Sequence, residues 1–191
     1  EYFLNVFAFF LIFAGIILDK MGIRFTGILS GSVMVIGAAI KLYAGSDWFT
    51  ADSALYSFLN SFWTSFPPTA KLASVGFMIF GCGVEMAGVT VSKAIAKWFK
   101  GKEMALAMGL EMAIARLGVF AVFRLSPYLS TYLNEAIPTV VTPVLVCTIL
   151  LLIGLIAYTV FTFMDKALDR QLGSVEEEAE EQFKVSDIGK L

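Results

Sequence analysis

Two pairs of oppositely charged residues interrupt apolar stretches of this sequence: Glu85 with Arg116, and Lys93 with Glu111. A charge at the centre of a membrane-spanning helix costs about 2.5–3.5 kcal/mol on insertion scales, so it needs a partner or a wet cavity. A carboxylate can hold a free ammonium group, and a guanidinium can hold a carboxylate through two hydrogen bonds. The chemistry that these residue types offer is the binding of a small charged solute, and it requires no metal or other cofactor.

Glu85 and Arg116 are predicted to lie at similar depths on two consecutive helices. At about 1.5 Å per residue, both sit roughly 22–24 Å from a basic turn near residue 100, close to the middle of a bilayer. We favour a substrate-binding role for this pair, and an ion pair that only ties two helices together is the alternative. Lys93 and Glu111 lie nearer the turn, and for them we favour the structural role.

Composition indicates which elements carry these charges. The chain is 58% apolar and 16% charged, with a mean hydropathy of +0.80, whereas a soluble domain is usually about half apolar and a quarter charged. Apolar runs of membrane-spanning length recur without strand alternation, so the sequence predicts an all-α, polytopic membrane bundle. It contains no His, no nucleophile paired with a base, no metal cluster and no basic patch, so we expect neither an enzyme nor a nucleic-acid partner.

Five membrane-spanning helices are predicted, each at least about 17 residues long. They lie near 2–18, 25–45, 73–97, 103–127 and 139–164. Together they form a partial amino-terminal bundle, residues 1–164, and residues 165–191 begin an acidic linker. Because an apolar helix starts at once, with no charged leader before it, we expect a fragment of a longer protein that also supplies one earlier helix.

The distribution of Lys and Arg predicts the orientation of the bundle in the bilayer. Basic residues concentrate in the links 19–24 and 99–103 and in the tail after residue 164, which we therefore expect to be cytoplasmic. The links on the opposite side contain no N-x-S/T sequence, which favours a bacterial inner membrane over a glycosylated one.

The longer link, residues 46–72, carries an apolar pattern of its own. Its apolar residues Leu55, Phe58, Leu59 and Phe62 follow the i, i+3, i+4, i+7 spacing of a helix. This pattern predicts a short helix in the membrane interface. A plain aromatic anchor is the alternative, and the sequence does not decide between them.

Small residues predict close packing between the two helices that carry the charges. In the fourth predicted span, small residues repeat at a spacing of four, at Ala105, Gly109 and Ala113. The third predicted span carries three glycines, Gly81, Gly83 and Gly88. Small side chains let membrane helices approach closely. We therefore expect the third and fourth predicted spans to pack tightly.

The link between the first two predicted spans contains a compact motif, "GIILDKMGIR", residues 15–24. Gly15 allows another backbone to approach the helix, and Gly22 permits a tight turn. Asp19 can accept hydrogen bonds from the N-terminus of a neighbouring helix, where the helix dipole favours an anion. Arg24 can pair with Asp19 or with another nearby carboxylate.

This motif resembles the signature loop of the major facilitator superfamily, which lies between its second and third helices. The match reads G-x-L-x-D-R/K-x-G-x-R, with Ile17 in the Leu position and Lys20 in place of Arg. The resemblance implies that the chain comprises helices two to six of a six-helix amino-terminal half. It also implies that the missing partners are the first helix and the carboxy-terminal half, and that Asp19 and Arg24 act in gating.

The hairpin sequence "VSKAIAKWFKGKEMALAMGLEMAIARLG" is similar to a narrower branch of that superfamily, the lysosomal dipeptide uniporters and their bacterial relatives. In that branch a Glu on the fourth helix and an Arg on the fifth bind the two termini of a zwitterionic dipeptide. Glu85 and Arg116 occupy the matching positions. The resemblance therefore implies that these two residues contact the substrate.

Three functional hypotheses follow. The leading one is a secondary or facilitative transporter with alternating access that moves a small zwitterionic or anionic solute, with a dipeptide as the best candidate. The second is a proton-coupled sugar or organic-anion porter in which Arg116 binds the anion and Glu85 carries the proton. The third is a membrane scaffold that does not transport and whose buried charges hold partner helices.

Overall fold

The computed structural model describes residues 2–99, 102–131 and 139–172. Over these ranges the chain is helical and contains no strand, with helices α1 (Tyr2–Gly45), α2 (Ala54–Asn60), α3 (Pro68–Trp98), α4 (Lys102–Thr131) and α5 (Val141–Leu172). All but the short α2 are long and apolar enough to cross a membrane. The predicted all-α membrane bundle is confirmed, with the first two of its five predicted spans joined in α1.

Helix α1 joins these two spans through a break at Gly22. This residue has φ 75° and ψ 169°, outside the helical region, so two helical segments meet there. Only glycine adopts such angles readily, because every other residue has a Cβ atom that clashes with the backbone. The link that the sequence places at 19–24 is thus a one-residue break between two helical segments.

The other long helices extend beyond their predicted ends. Helix α3 begins at Pro68, where the missing N–H and fixed φ of proline suit a first helical turn. Helix α5 continues past the predicted end at residue 164 to Leu172. The first part of the predicted linker is therefore helical, and residues 173–191 lie outside the described ranges.

Helices α1 and α3 pack at very short range. A Cβ atom built on Gly37 would lie 2.5 Å from the backbone N of Phe80 and 2.7 Å from the carbonyl O of Gly76. A Cβ atom on Gly83 would likewise lie 2.9 Å from the carbonyl O of Ser30. Because backbone atoms cannot rotate out of the way, these glycines are what allow the two helices to cross so closely.

Helix α4 stands apart from this tight pair. It makes few contacts with α3 and α5, and no residue from Glu103 to Thr131 is buried by the described chain. A Cβ atom built on Gly88 or Gly109 would have no described atom within 4 Å, apart from its own helix backbone. The predicted tight packing of α3 on α4 is therefore wrong for the part of the chain described, and the glycine-mediated crossing joins α3 to α1.

A small apolar core lies beside the break in α1. Leu18 and Ile23 of α1 are buried together with Ala94 of α3, and Val89 and Phe161 pack against them. Phe161 belongs to α5, so three helices meet at this point. The charged residues described next surround this core.

Candidate functional site

Charged side chains from α1, α3 and α5 converge next to the break at Gly22. Arg24 donates from Nε to Oδ2 of Asp165 at 2.6 Å and from Nη2 to the carbonyl O of Asp165 at 3.3 Å. It also bonds to Asp169. Lys97 donates from Nζ to both carboxylate oxygens of Asp165, at 3.0 and 3.1 Å, and to Oδ1 of Asp169 at 2.9 Å. These four residues and Trp98 form what we call the charge cluster.

Asp165 is the centre of the charge cluster. Its side chain is 0% exposed, and Nε1 of Trp98 donates a further hydrogen bond to Oδ1 at 3.0 Å. A buried carboxylate without partners would lose several kcal/mol of solvation. Here two cations and an indole N–H replace the lost water. The arrangement ties the ends of α3 and α5 to the second segment of α1.

A second ion pair holds the first segment of α1. Nζ of Lys93, on α3, lies 3.0 Å from Oδ1 of Asp19, and both side chains are about a third or more exposed. The structure thus gives Asp19 a lysine partner and gives Arg24 two carboxylates of α5. The sequence allowed Arg24 to pair with Asp19 or with another nearby carboxylate, and the second is the one seen. Lys93 pairs with Asp19 of α1.

Helix α5 approaches α1 closely at Tyr158. Its hydroxyl donates to the carbonyl O of Ile23 at 2.9 Å. Its ring lies so close to Gly27 that a Cβ atom at that position would overlap the ring. By contrast, a Cβ on Gly15 would meet no described atom within 4 Å, so the approach of another backbone to Gly15 stays a prediction.

Glu85 lies half-buried on α3, on the face away from α1. At about 100° per residue it stands about 180° around the helix from Gly76 and Ala94, which face α1. Arg116 is exposed on α4, and Glu111 on the same helix is half-buried. Over the described ranges, no hydrogen bond or ion pair joins Glu85, Arg116 or Glu111 to another side chain. The structure therefore leaves Glu85 and Arg116 on consecutive helices without pairing them.

A largely apolar cavity of about 430 Å³ lies between α1, α3 and α5. Its polar contributions come from Ser30, Thr90 and Tyr158, and neither Glu85 nor Arg116 lines it. Within the described chain no three His, Cys, Asp or Glu residues are grouped as metal ligands. The charges predicted to bind a solute thus lie outside this cavity.

Sequence reasoning missed most of the charge cluster. Asp165 and Asp169 fall within the predicted acidic linker, and Lys97 is not among the predicted site residues. The signal that could have found them is their spacing. Two aspartates four residues apart share one face of a helix, and they follow directly on the longest apolar run of the chain.

The chain is similar over most of its length to curated transporters. It is 24% identical over 182 residues to the lysosomal dipeptide transporter MFSD1 of Bos taurus, 25% over 182 residues to that of Homo sapiens and 28% over 180 residues to that of Danio rerio. These matches cover 92%, 92% and 91% of this chain and 35% of each relative. No protein-family model matches the chain, and no solved structure matches it.

These relatives bear on several predictions. They are named as transporters, which agrees with the prediction that the chain is not an enzyme. They are vertebrate proteins named as lysosomal, so they give no support to the expected bacterial inner membrane. The chain spans about a third of the length of the curated relatives that it matches. The predicted resemblance is confirmed: this multi-pass membrane chain is similar, over about nine-tenths of its length, to one part of the MFSD1 transporters.

Proposed function

We propose that this chain is part of a secondary or facilitative transporter that works by alternating access and moves a small zwitterionic or anionic solute. A dipeptide is the best candidate. The observation that carries the proposal is the match of about nine-tenths of the chain to relatives named as dipeptide transporters. The charges on α3 and α4 supply chemistry that suits such a solute.

Glu85 binds the free ammonium group of the solute. Its position on the face of α3 opposite α1 supports this role, because α1 packs on the other side of α3 and leaves that face uncovered. A carboxylate that lacks a protein cation can accept hydrogen bonds from a ligand ammonium without first breaking an ion pair. The half-burial of Glu85 lowers the competition from water.

Arg116 binds the carboxylate of the solute. Its guanidinium offers a rigid fork of N–H donors that matches a carboxylate through two hydrogen bonds. The exposed side of α4 supports this role, since a charged residue on a membrane-spanning helix faces a polar cavity or another protein segment and not lipid. With Glu85 on α3, the two charges would select a ligand that carries both termini.

The remaining predicted residues act in gating or in holding the helices together. The contacts of Arg24 and Lys97 with Asp165 support a gate at this end of the bundle, because they link three helices that must shift as the cavity changes sides. Gly22 supplies the break on which the first segment of α1 turns. The other members of this group are Gly15, Asp19, Lys93 and Glu111.

The decisive experiment measures dialanine binding and uptake by the complete transporter in liposomes. Each charge is removed in turn, by Glu85→Gln and by Arg116→Ala. We expect each variant to lose about tenfold or more in affinity, because truncating one side of a desolvated charge pair costs about 2 kcal/mol or more. Arg124→Ala is the matched control, since Arg124 is also exposed on α4 and should leave affinity unchanged.

Blocked dipeptides sharpen this test. N-acetyl-dialanine lacks the ammonium group, so Glu85→Gln should not weaken its binding further. Dialanine amide lacks the carboxylate, so Arg116→Ala should not weaken its binding further. If both variants bind dialanine as the wild type does, the assignment of the two residues is wrong.

The same liposomes separate the other hypotheses. Uptake that requires an inward proton gradient and accepts sugars or organic anions, but not dialanine, would support the proton-coupled porter. A complete protein that takes up none of these solutes would support the scaffold. The membrane in which the protein resides follows from expressing it in its own cell type and locating it there.

A further inference from the structure

The loop between α1 and α3, residues 46–67, presents an exposed aromatic surface. Trp48, Phe58 and Trp63 are 83%, 65% and 72% exposed. We call this segment the aromatic loop. Burial of large aromatic side chains contributes strongly to binding, and an exposed apolar patch of this kind marks an interaction surface.

The aromatic loop lies at the end of the bundle opposite the charge cluster. The second segment of α1 carries Arg24 near its start and ends at Gly45, which spans roughly 31 Å at about 1.5 Å per residue. That length matches the hydrocarbon thickness of a bilayer. The loop follows Gly45 and leads directly into the next membrane-spanning helix at Pro68. It is therefore anchored at both ends where helices leave the membrane.

Specific contacts hold the aromatic loop in shape. Phe49 is buried, and its ring lies 5.6 Å from that of Tyr43 and 5.3 Å from that of Tyr56, centre to centre. These tilted ring contacts connect the end of α1 to α2. The aromatic surface is thus carried on a packed framework.

Lys71 fastens the other side of the loop to α3. Its Nζ donates to the carbonyl O of Leu59 at 2.6 Å and to that of Phe62. It also lies 4.8 Å from the centre of the Phe62 ring. A cation placed against carbonyls at the C-terminal end of α2 stabilises that helix end. Lys71 therefore orients α2, whose residue Phe58 faces outward.

The backbone at Trp63 is held in an unfavourable conformation. Its φ of 50° lies in the left-handed region, which costs a bulky residue about 1–2 kcal/mol. The ring is nevertheless exposed, and it packs edge-on against the ring of Phe66 at 5.8 Å, centre to centre. Within the described chain, no burial of the Trp63 ring offsets the free-energy cost of this backbone conformation. Burial of the ring against an external partner would offset it.

The charges of the loop select the class of partner. Between Lys41 and Lys71 the sequence contains two acidic residues, Asp47 and Asp52, and no basic one. Anionic lipids and acidic proteins would be repelled by this loop. A zwitterionic lipid interface suits it, because Trp and Tyr favour the headgroup level of a bilayer.

We propose that the aromatic loop inserts its exposed rings into the interfacial layer of the membrane and binds zwitterionic lipid there. Continuity supports this partner. The two helices that flank the loop carry exposed rings of their own, at Tyr43 and Phe77. The loop extends this apolar surface to the level of the lipid headgroups.

The test uses the fluorescence of Trp48 and Trp63 in the full chain with Trp98→Phe, reconstituted in phosphatidylcholine vesicles. Lipids brominated near the top of the acyl chain should quench this emission several-fold more than aqueous iodide does. Emission quenched by iodide as strongly as that of free tryptophan, with no effect of the brominated lipid, would overturn the proposal. Circular dichroism of each variant checks that the helices are formed.

Further quenching measurements identify the partner of the aromatic loop. Lys71→Met should raise iodide quenching, since α2 then loses its attachment to α3. Replacing part of the phosphatidylcholine with phosphatidylglycerol should leave lipid quenching equal or lower, and an increase would contradict the choice of neutral lipid. Shielding from iodide that grows with protein density at a fixed lipid composition would show that a second copy covers the rings, and would also overturn the proposal.

Discussion

Nε of Arg24 lies 2.6 Å from Oδ2 of Asp165, although the two residues are 141 positions apart in the chain. The pair joins the residue two positions after the break in α1 to the end of α5. Lys97 of α3 shares the same carboxylate. A change in the angle at Gly22 would therefore move Arg24 relative to two other helices at once. This coupling makes the charge cluster the best-defined mechanical link of the described chain.

Removing the buried carboxylate should destabilise the bundle strongly. Asp165→Asn removes the buried one of the two carboxylates that Arg24 and Lys97 share and leaves them Asp169, and breaking a buried pair costs about 3 kcal/mol or more. We expect the low end of this range, because Arg24 and Lys97 are about a third exposed and water compensates in part. Thermal unfolding in detergent, followed by circular dichroism, measures the loss.

Asp169→Asn is the matched control for that change. Asp169 contacts the same two cations, but its side chain is 44% exposed. Exposed ion pairs contribute about 0–1 kcal/mol. Equal losses of stability for the two variants would show that the burial of Asp165 has no energetic importance.

Gly22→Ala should strain the break in α1. The φ of 75° and ψ of 169° lie in a region that only glycine populates, and other residues lose about 1–3 kcal/mol there. Gly15→Ala is the control, because a Cβ at Gly15 has free space and a helical alanine stabilises by about 0.5–1 kcal/mol relative to glycine. Denaturation in urea-containing detergent compares the two. If Gly22→Ala leaves the stability unchanged, the neighbouring contacts and not the glycine determine the break.

Much of the fold could be predicted from the sequence, and the partner of Arg24 could not. Apolar runs fix where helices cross a membrane, and Gly22 is the glycine at which the chain breaks. Depth along a helix can be counted from a turn, as for Glu85 and Arg116. The direction in which each side chain points depends on which neighbour the helix packs against, and that choice is made by contacts such as Gly37 with Gly76.

Gly37→Ala should push α1 and α3 apart. The added methyl group would lie 2.5 Å from the backbone N of Phe80, which cannot move without moving the helix. We expect a loss of about 1–3 kcal/mol, as for other overpacked contacts. Gly88→Ala, at an open position on α3, should be neutral or slightly stabilising. Reversible unfolding in mixed micelles distinguishes them, and equal effects would contradict the described crossing.

A double-mutant cycle tests whether Arg24 and Asp165 act as a unit. Arg24→Gln alone leaves Asp165 with Lys97 and Trp98, and Asp165→Asn alone leaves Arg24 with Asp169. The remaining partners should therefore reduce the loss of stability that each single change causes. The double change removes the buried charge together with its closest cation. Contacting residues in one network show coupling of about 0.5–3 kcal/mol. We expect the double variant to be more stable than the sum of the two single losses predicts, in unfolding experiments on the same micelles. Strict additivity would mean that the 2.6 Å contact carries no energy of its own.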